Sequence, residues 1–348
     1  MSVQEKEGRD LMSGGEGQPQ RTAGAGLLSG EVVKLDRGFP LVCLDDGRLV
    51  RCQHATALVK NADVRAVVGD RVQVSLPEDA DMAQIEAIGL RGNVLMRKDP
   101  AERTLAQTLA ANFDAVIVAQ PLAELNLHRL ERELVLAFET GAQVLVILTK
   151  ADLAEGEDQV RHVRAAVRAI AGDGVPVLVV SEDNAESVET VRRAIDGRTA
   201  VLMGRSGVGK SSLVNLLVGK QVQATNAVRA RDGKGRHTTV SREIVDLPGG
   251  GRIIDMPGVR GLALWDASAG IAAAFSDIVA LSESCRFRDC RHGDEPGCAV
   301  RRAVEEGKVS PARLDAYRDL VAENEKGRRR REEAARKRSR RGHPRRRG

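Results

Sequence analysis

Residues 201–212, VLMGRSGVGKSS, restrict this chain more than any other stretch. The apolar run that ends at Met203 predicts a buried strand, and Leu213, Val214, Leu216, Leu217 and Val218 predict a helix soon after it. The turn between them is G-x-x-x-x-G-K-S: Gly204, Arg205, Ser206, Gly207, Val208, Gly209, Lys210 and Ser211, with Ser212 next. Its glycines let successive backbone N–H groups curl around an oxyanion with no Cβ in the way, and the helix N-terminus adds its positive end. In such a loop Lys210 reaches the β- and γ-phosphates and Ser211 holds Mg2+. A glycine-rich turn with an incidental Lys-Ser is the alternative, but it needs no strand before it and no helix after. The expectation is a nucleoside triphosphate site.

A second apolar run, residues 143–149, ends in Thr149-Lys150-Ala151-Asp152. A carboxylate at Asp152 accepts from guanine N1–H and the 2-amino group, whereas adenine has an acceptor at N1 and no 2-amino group, so this pattern selects guanine. Lys150 lays its aliphatic stem along the base. Taken alone, T-K-x-D also suits a solvated lysine and a helix-capping aspartate. Beside a phosphate loop it gains weight. Downstream, residues 252–258 read as a strand ending in Asp255-Met256-Pro257-Gly258, which puts Asp255 where it binds Mg2+ through water and the Gly258 N–H opposite a γ-phosphate. The polar, glycine-rich stretch 229–239 is either an idle loop or a switch that orders on the triphosphate, with Thr238 or Thr239 as a second hydroxyl ligand for Mg2+.

In ordinary GTPases the base-reading strand comes last; here it precedes the phosphate loop by more than fifty residues. That order is a circular permutation, permitted because these loops leave the same edge of one parallel sheet and the site needs their arrangement in space. On Val68-Gly69-Asp70-Arg71-Val72, Arg91-Gly92-Asn93, Ala111-Asn112-Phe113-Asp114, Thr149 to Asp152, Gly204 to Ser211, Gly235-Arg236-His237-Thr238-Thr239, Asp255 to Gly258 and Cys285 to Cys298, the chain resembles the circularly permuted ribosome-biogenesis GTPases of the RsgA family. The resemblance covers roughly residues 30–325. It implies a GTPase that binds the small ribosomal subunit and its rRNA, and hydrolyses GTP to GDP to assist late maturation and its own release. It also puts Ser181 in the base-contacting loop, although Glu182 follows where alanine is usual. Thr149 stands where asparagine is usual, which weakens one hydrogen bond to the base. Met256 replaces a commoner threonine at a position read through its backbone.

The fold class expected is multidomain α/β. Residues 1–27 are read as a disordered N-terminal tail, 28–98 as an OB-like β-barrel, and 99–262 as the circularly permuted P-loop GTPase domain on a parallel doubly wound sheet. Residues 263–325 are read as a helical zinc-binding domain and 326–348 as a basic disordered tail. Short alternating runs separated by turn signals, such as residues 71–76, carry the barrel expectation. Phe39 is the only aromatic there, so RNA bound by the barrel is read through phosphates and shape. A barrel that serves only as scaffold is the competing reading. Cys43 and Cys52 are read as small buried hydrophobes. Asn126 caps a helix whose core residues are Leu127, Leu130 and Leu134, and residues 269–281 read as one helix. No apolar run is long enough to span a bilayer and the N-terminal stretch lacks a signal-peptide core, so a cytosolic monomer with no membrane contact is expected.

Ras-like enzymes carry a water-positioning glutamine directly after D-x-x-G, where this chain has Val259, so intrinsic turnover is expected to be slow. The family pattern offers His237 as the catalytic substitute; a solvated loop histidine is the alternative. Cys285, Cys290, His292 and Cys298 crowd a turn-rich stretch, and three thiols with one imidazole suit a single tetrahedral, structural Zn2+. The tail from Lys326 has thirteen lysines and arginines against two glutamates, which exceeds the whole chain's net charge of +5 and leaves the rest acidic. RNA is its natural polyanion. A non-enzymatic, GTP/GDP-responsive RNA-binding protein is the alternative to the hydrolase, with Val259 its best argument.

Overall fold

The structure is a computed structural model and describes residues 26–36, 38–62, 65–77, 82–98, 106–220, 242–256 and 264–341. His237, Thr238, Thr239, Gly258 and Val259 lie outside the described residues, as do residues 1–25 and 342–348.

Apolar runs make the centre of the molecule. β8 (Ala115–Pro121), β9 (Gln143–Thr149) and β11 (Thr199–Met203) are buried almost throughout, as parallel strands covered on both faces must be. With β10 (Val177–Val179) and β13 (Arg252–Asp255) they form a parallel array in the order β10-β9-β8-β11-β13. Alternate residues of β8 serve two cores. Val116 and Val118 pack with α2 (Leu127–Glu139) and α3 (Glu157–Ala171), while Ile117 and Ala119 pack with α4 (Ala185–Ala194) and α5 (Lys210–Val218). The Asn126 side chain accepts from Arg129 N, so the predicted cap is present. Leu130 and Leu134 are fully buried, but Leu127 is 40% exposed, correcting its reading as core. It is the first helical residue, before the apolar stripe turns inward.

The parallel array does not end at β13. β12 (Arg242–Asp246) runs antiparallel to β13 on one side and to β1 (Leu28–Asp36) on the other. Through it the sheet continues into β2 (Phe39–Leu44), β3 (Leu49–His54), β5 (Ala83–Ile88) and β4 (Arg71–Ser75), and β4 pairs back onto β1. The expected five-stranded barrel is therefore closed, yet it shares one eleven-stranded sheet with the nucleotide domain. Val32, Val42, Cys52, Val74 and Ile85 fill it with no exposed surface, and α1 (Thr56–Ala62) follows β3. Cys52 is buried as expected; Cys43 is only half-buried.

The quoted motifs of the N-terminal half meet at this seam. β6 (Val94–Lys98) pairs with β7 (Ala106–Ala111), a hairpin that straddles the expected 98/99 boundary. Gly69 has φ +89, and a Cβ there would lie 2.0 Å from Ala111 O, so only glycine lets the two backbones approach. Asn112 Nδ2 donates to Gly69 O at 2.9 Å while its Oδ1 accepts from Gly92 N at 2.8 Å. Asn93 Nδ2 donates to Phe113 O at 2.7 Å. Fully buried Asp70 accepts from Arg91 Nε and Nη2 at 2.7 Å each and from Val67 N at 2.8 Å, so its charge is paired in the bidentate geometry that burial demands.

The C-terminal part leans on α2. The expected helix 269–281 is two helices, Ser268–Ala274 and Ser276–Ser282, parted at fully buried Phe275. Gly270 packs against α2 so closely that a Cβ would lie 2.1 Å from Val135 O. Arg313, on the last helix, donates to Asp277 Oδ1 and Oδ2 at 2.8 Å and to Glu131 Oε1 at 3.1 Å, and lies over the Phe275 ring. That last helix spans Pro311–Arg341 and corrects the reading of residues 326–348 as wholly disordered. Alanine and arginine favour helix, the pairs Glu325–Arg329 and Arg328–Glu332 sit one turn apart, and Arg331 covers the Trp265 ring at 4.6 Å. No helix among the described residues is long and apolar enough to cross a membrane.

Candidate functional site

β11 delivers the chain to the glycine-rich turn, and α5 begins at Lys210. Gly204 has φ +146, and a Cβ there would lie 2.7 Å from Ala119 O, so the turn lies directly against β8. Gly207 and Gly209, at φ +87 and +96, keep the backbone in the left-handed region that a phosphate-cradling loop uses. Lys210 is 8% exposed and its Nζ donates to Gly204 O at 2.6 Å and Arg205 O at 2.9 Å. Burial pulls its pKa down, while Asp255 and Glu133 hold it up. Ser211 and Ser212 follow on the first turn of α5, half-buried.

Pairing of β11 with β13 sets Leu202 beside Asp255. The register therefore carries Asp255, 4% exposed, to the same sheet edge as the turn. Ser211 and Asp255 offer a hydroxyl and a carboxylate, the hard oxygen donors that Mg2+ takes.

Thr149 is buried against the glycine-rich turn. Its hydroxyl donates to Val208 O at 2.5 Å, with Gln120 O at 3.2 Å as a second acceptor, and the residue is 3% exposed. The side chain thus ties the end of β9 to the glycine-rich turn. Lys150 adopts φ +58, and Thr149, Lys150, Val180, Glu182, Gly209 and Ser212 line one cleft. Asp152 is exposed on the single 3-10 turn Ala151–Leu153, which Ala151 N anchors to Val180 O at 3.2 Å. Ser181 does not line the cleft; its hydroxyl accepts from Asp183 N at 3.4 Å. The structure thus brings together Thr149, Lys150, the glycine-rich turn and Asp255, and leaves the Ser181 hydroxyl outside.

Sequence reasoning missed one group at this site. Glu133 of α2 is 5% exposed and accepts from the buried Gln120 amide. Burial pushes its carboxyl up to about 7, against the pull of Arg129, Lys210 and the Gln120 amide. A carboxylate inside the apolar stripe of Leu130, Leu134 and Ala137 was the available signal.

The second cluster lies in the C-terminal part. The donor atoms of Cys285, Cys290, His292 and Cys298 all lie within 4.8 Å of one another. A tetrahedron with Zn–S of about 2.3 Å and Zn–N of about 2.0 Å has edges of about 3.8 Å for S···S and 3.5 Å for S···N. The observed separations are 3.9 Å for Cys285 Sγ to Cys298 Sγ, and 3.7 and 3.4 Å from those sulfurs to His292 Nδ1. Ala299 N and Arg301 N donate to the Cys285 and Cys298 sulfurs at 3.3 and 3.4 Å and fix their orientation, and burial lowers the His292 pKa, which favours the neutral ligating imidazole. The donor set fits zinc.

A profile of the RsgA GTPase family matches residues 88–265. The chain is 43% identical over 302 residues to the small ribosomal subunit biogenesis GTPase RsgA of Streptomyces avermitilis, covering 86% of this chain and 80% of that one. A protein of the same description from Syntrophotalea carbinolica is 36% identical over 86% of this chain. Among solved structures, YjeQ from Thermotoga maritima superposes with a TM-score of 0.62 at 25% identity, over 86% of this chain and 98% of that one. The circularly permuted GTPase YloQ superposes with a TM-score of 0.60, also at 25% identity, over 88% of this chain and 98% of that one.

Proposed function

This chain belongs to the RsgA GTPase family, and from that premise we propose that it hydrolyses GTP on the small ribosomal subunit, assisting late maturation and then leaving. The observation that carries the reading is convergence at one sheet edge. The Thr149 bond to Val208 O and the Leu202–Asp255 register bring base-reading loop, phosphate loop and D-x-P-G strand together although their order along the chain is shuffled.

In this reading the N–H groups of residues 204–209 wrap the β-phosphate and Lys210 turns from its own loop carbonyls to the β- and γ-oxygens. Asp152 selects guanine, with Lys150 along the base and Ser181 contacting it through backbone. Mg2+ held by Ser211 and Asp255, with Thr238 or Thr239, would neutralise charge on the β,γ-oxygens. Gly258 N–H faces the γ-phosphate and His237 orients water; both assignments rest on sequence. The single zinc is structural, because four protein donors leave no open position. The protein acts as a cytoplasmic monomer, with rRNA its polyanionic partner.

Phosphate release measured with GTP and ATP, with and without purified small subunits, tests this. Slow GTP turnover that subunits accelerate, with ATP inert, is expected; turnover indifferent to subunits would remove the ribosomal role.

A further inference from the structure

The seam between barrel and parallel sheet encloses a cleft of about 480 Å3. Three walls meet there: the barrel, the β6–β7 hairpin and the first residue of β12. Its charged lining is cationic: Arg65, Arg91 and Arg242, with His54 beside them. Among the described residues, Arg91 alone of these three is paired with a carboxylate, that of Asp70, and its Nη2 also donates to Arg65 O at 3.0 Å. His54 Nε2 accepts from Ala66 N at 2.8 Å, as only an unprotonated ring nitrogen can, and burial and then Arg65 lower its pKa, so it offers the cleft no counter-charge for the arginines.

Arg242 is the informative residue. It is half-buried, its guanidinium is disfavoured first by burial and then by Arg97, and no carboxylate among the described residues makes an ion pair with it. Arg97 is fastened by Nε and Nη2 to Gln107 Oε1 at 3.0 and 2.9 Å, and Gln107 lines the cleft. An anion seated in the cleft against Arg242 offsets both the burial and the Arg97 repulsion. No aromatic side chain lines the cleft among the described residues, and none there stacks a base.

We propose that this cleft seats a backbone phosphate of RNA, gripped by Arg242 and Arg65. The proposal rests on the reading that the chain docks on the small ribosomal subunit, and deepens it by naming a contact. It also gives that contact a short path to the nucleotide, since Glu243, next to Arg242, pairs with Asp255 across β12 and β13.

The experiment uses the full chain as wild type, R242Q and R65Q, and measures affinity for small subunits and for a short RNA hairpin across a salt series, with GDP affinity as the control. Each variant is expected to bind both RNAs on the order of tenfold more weakly, with the log–log salt slope shallower by about one, and to bind GDP as wild type does. Wild-type affinity and slope in both variants would overturn the proposal. Should R242Q lose GDP binding through misfolding, exposed R65Q decides alone. A wild type that binds the hairpin through Arg242 but not subunits keeps the cleft and removes the ribosomal reading; one that binds neither removes both. Tripolyphosphate protection of the cleft without any effect of the variants on RNA would assign it to a free polyphosphate and overturn the RNA contact.

Discussion

The two regions flanking the nucleotide domain are held in opposite ways. The barrel has its own apolar core, with Val32, Val42, Val74 and Ile85 fully buried, and is joined to the parallel sheet by backbone pairing and the Asp70–Arg91 pair. Residues 285–298 are turn-rich and mostly exposed, and what they send to the core is mainly Cys298, with Cys285 and Cys290 packed against it, the same side chains whose donor atoms lie within 4.8 Å of one another and of His292. A barrel that buries apolar area needs no metal, whereas a short polar segment does. The difference predicts that each region can be dismantled without the other.

The largest effect is expected from stripping the proposed zinc from the Cys/His cluster. Chelation, or Cys298→Ser, should unfold the zinc segment, a loss on the order of 10 kcal/mol of metal-linked folding energy, while GDP affinity and barrel protection persist. Hydrogen exchange resolved by segment reads both, and a barrel that loosened along with the zinc segment would end the contrast. Next is Asp70→Asn, which strands the Arg91 charge at the seam and should destabilise by about 3–5 kcal/mol in denaturant unfolding, with zinc content unchanged.

The domain between them supplies two smaller tests. Glu133 has its pKa raised to about 7 in the folded chain, so the stability it contributes is complete below its unfolded value and is lost as pH rises through 7. Glu133→Gln should therefore flatten the stability profile between about pH 4.5 and 7, an effect on the order of 3 kcal/mol. Equal pH slopes in variant and wild type would show that the buried carboxyl is not titrating there. Smallest is Thr149→Val, which loses the bond to Val208 O and should cost about 1 kcal/mol of stability and weaken GDP binding. Calorimetry of both variants with GDP separates the loop-tying role from contact with the base.

The Cys/His cluster and the glycine-rich turn were legible because their chemistry is local: the donors or N–H groups lie within a dozen or so residues and declare themselves by type and spacing. Leu127 and residues 326–341 misled for a related reason. Periodicity marks Leu127 as part of a stripe but not where the helix begins to face the core, and charge density in the tail masked strong helix propensity reinforced by Trp265 beneath Arg331.

The sequence by itself determined a guanine nucleotide site, a barrel and a metal cluster, since each is written in residue types whose chemistry has few alternatives. Tertiary structure alone decided that β12 welds barrel and parallel sheet into one array, that Thr149 ties one loop to another, that Glu133 is a buried carboxyl and that Arg242 is half-buried beside a cleft. These are pairings between distant segments, and a carboxylate or guanidinium acquires its character from what surrounds it in space, which residue order does not state.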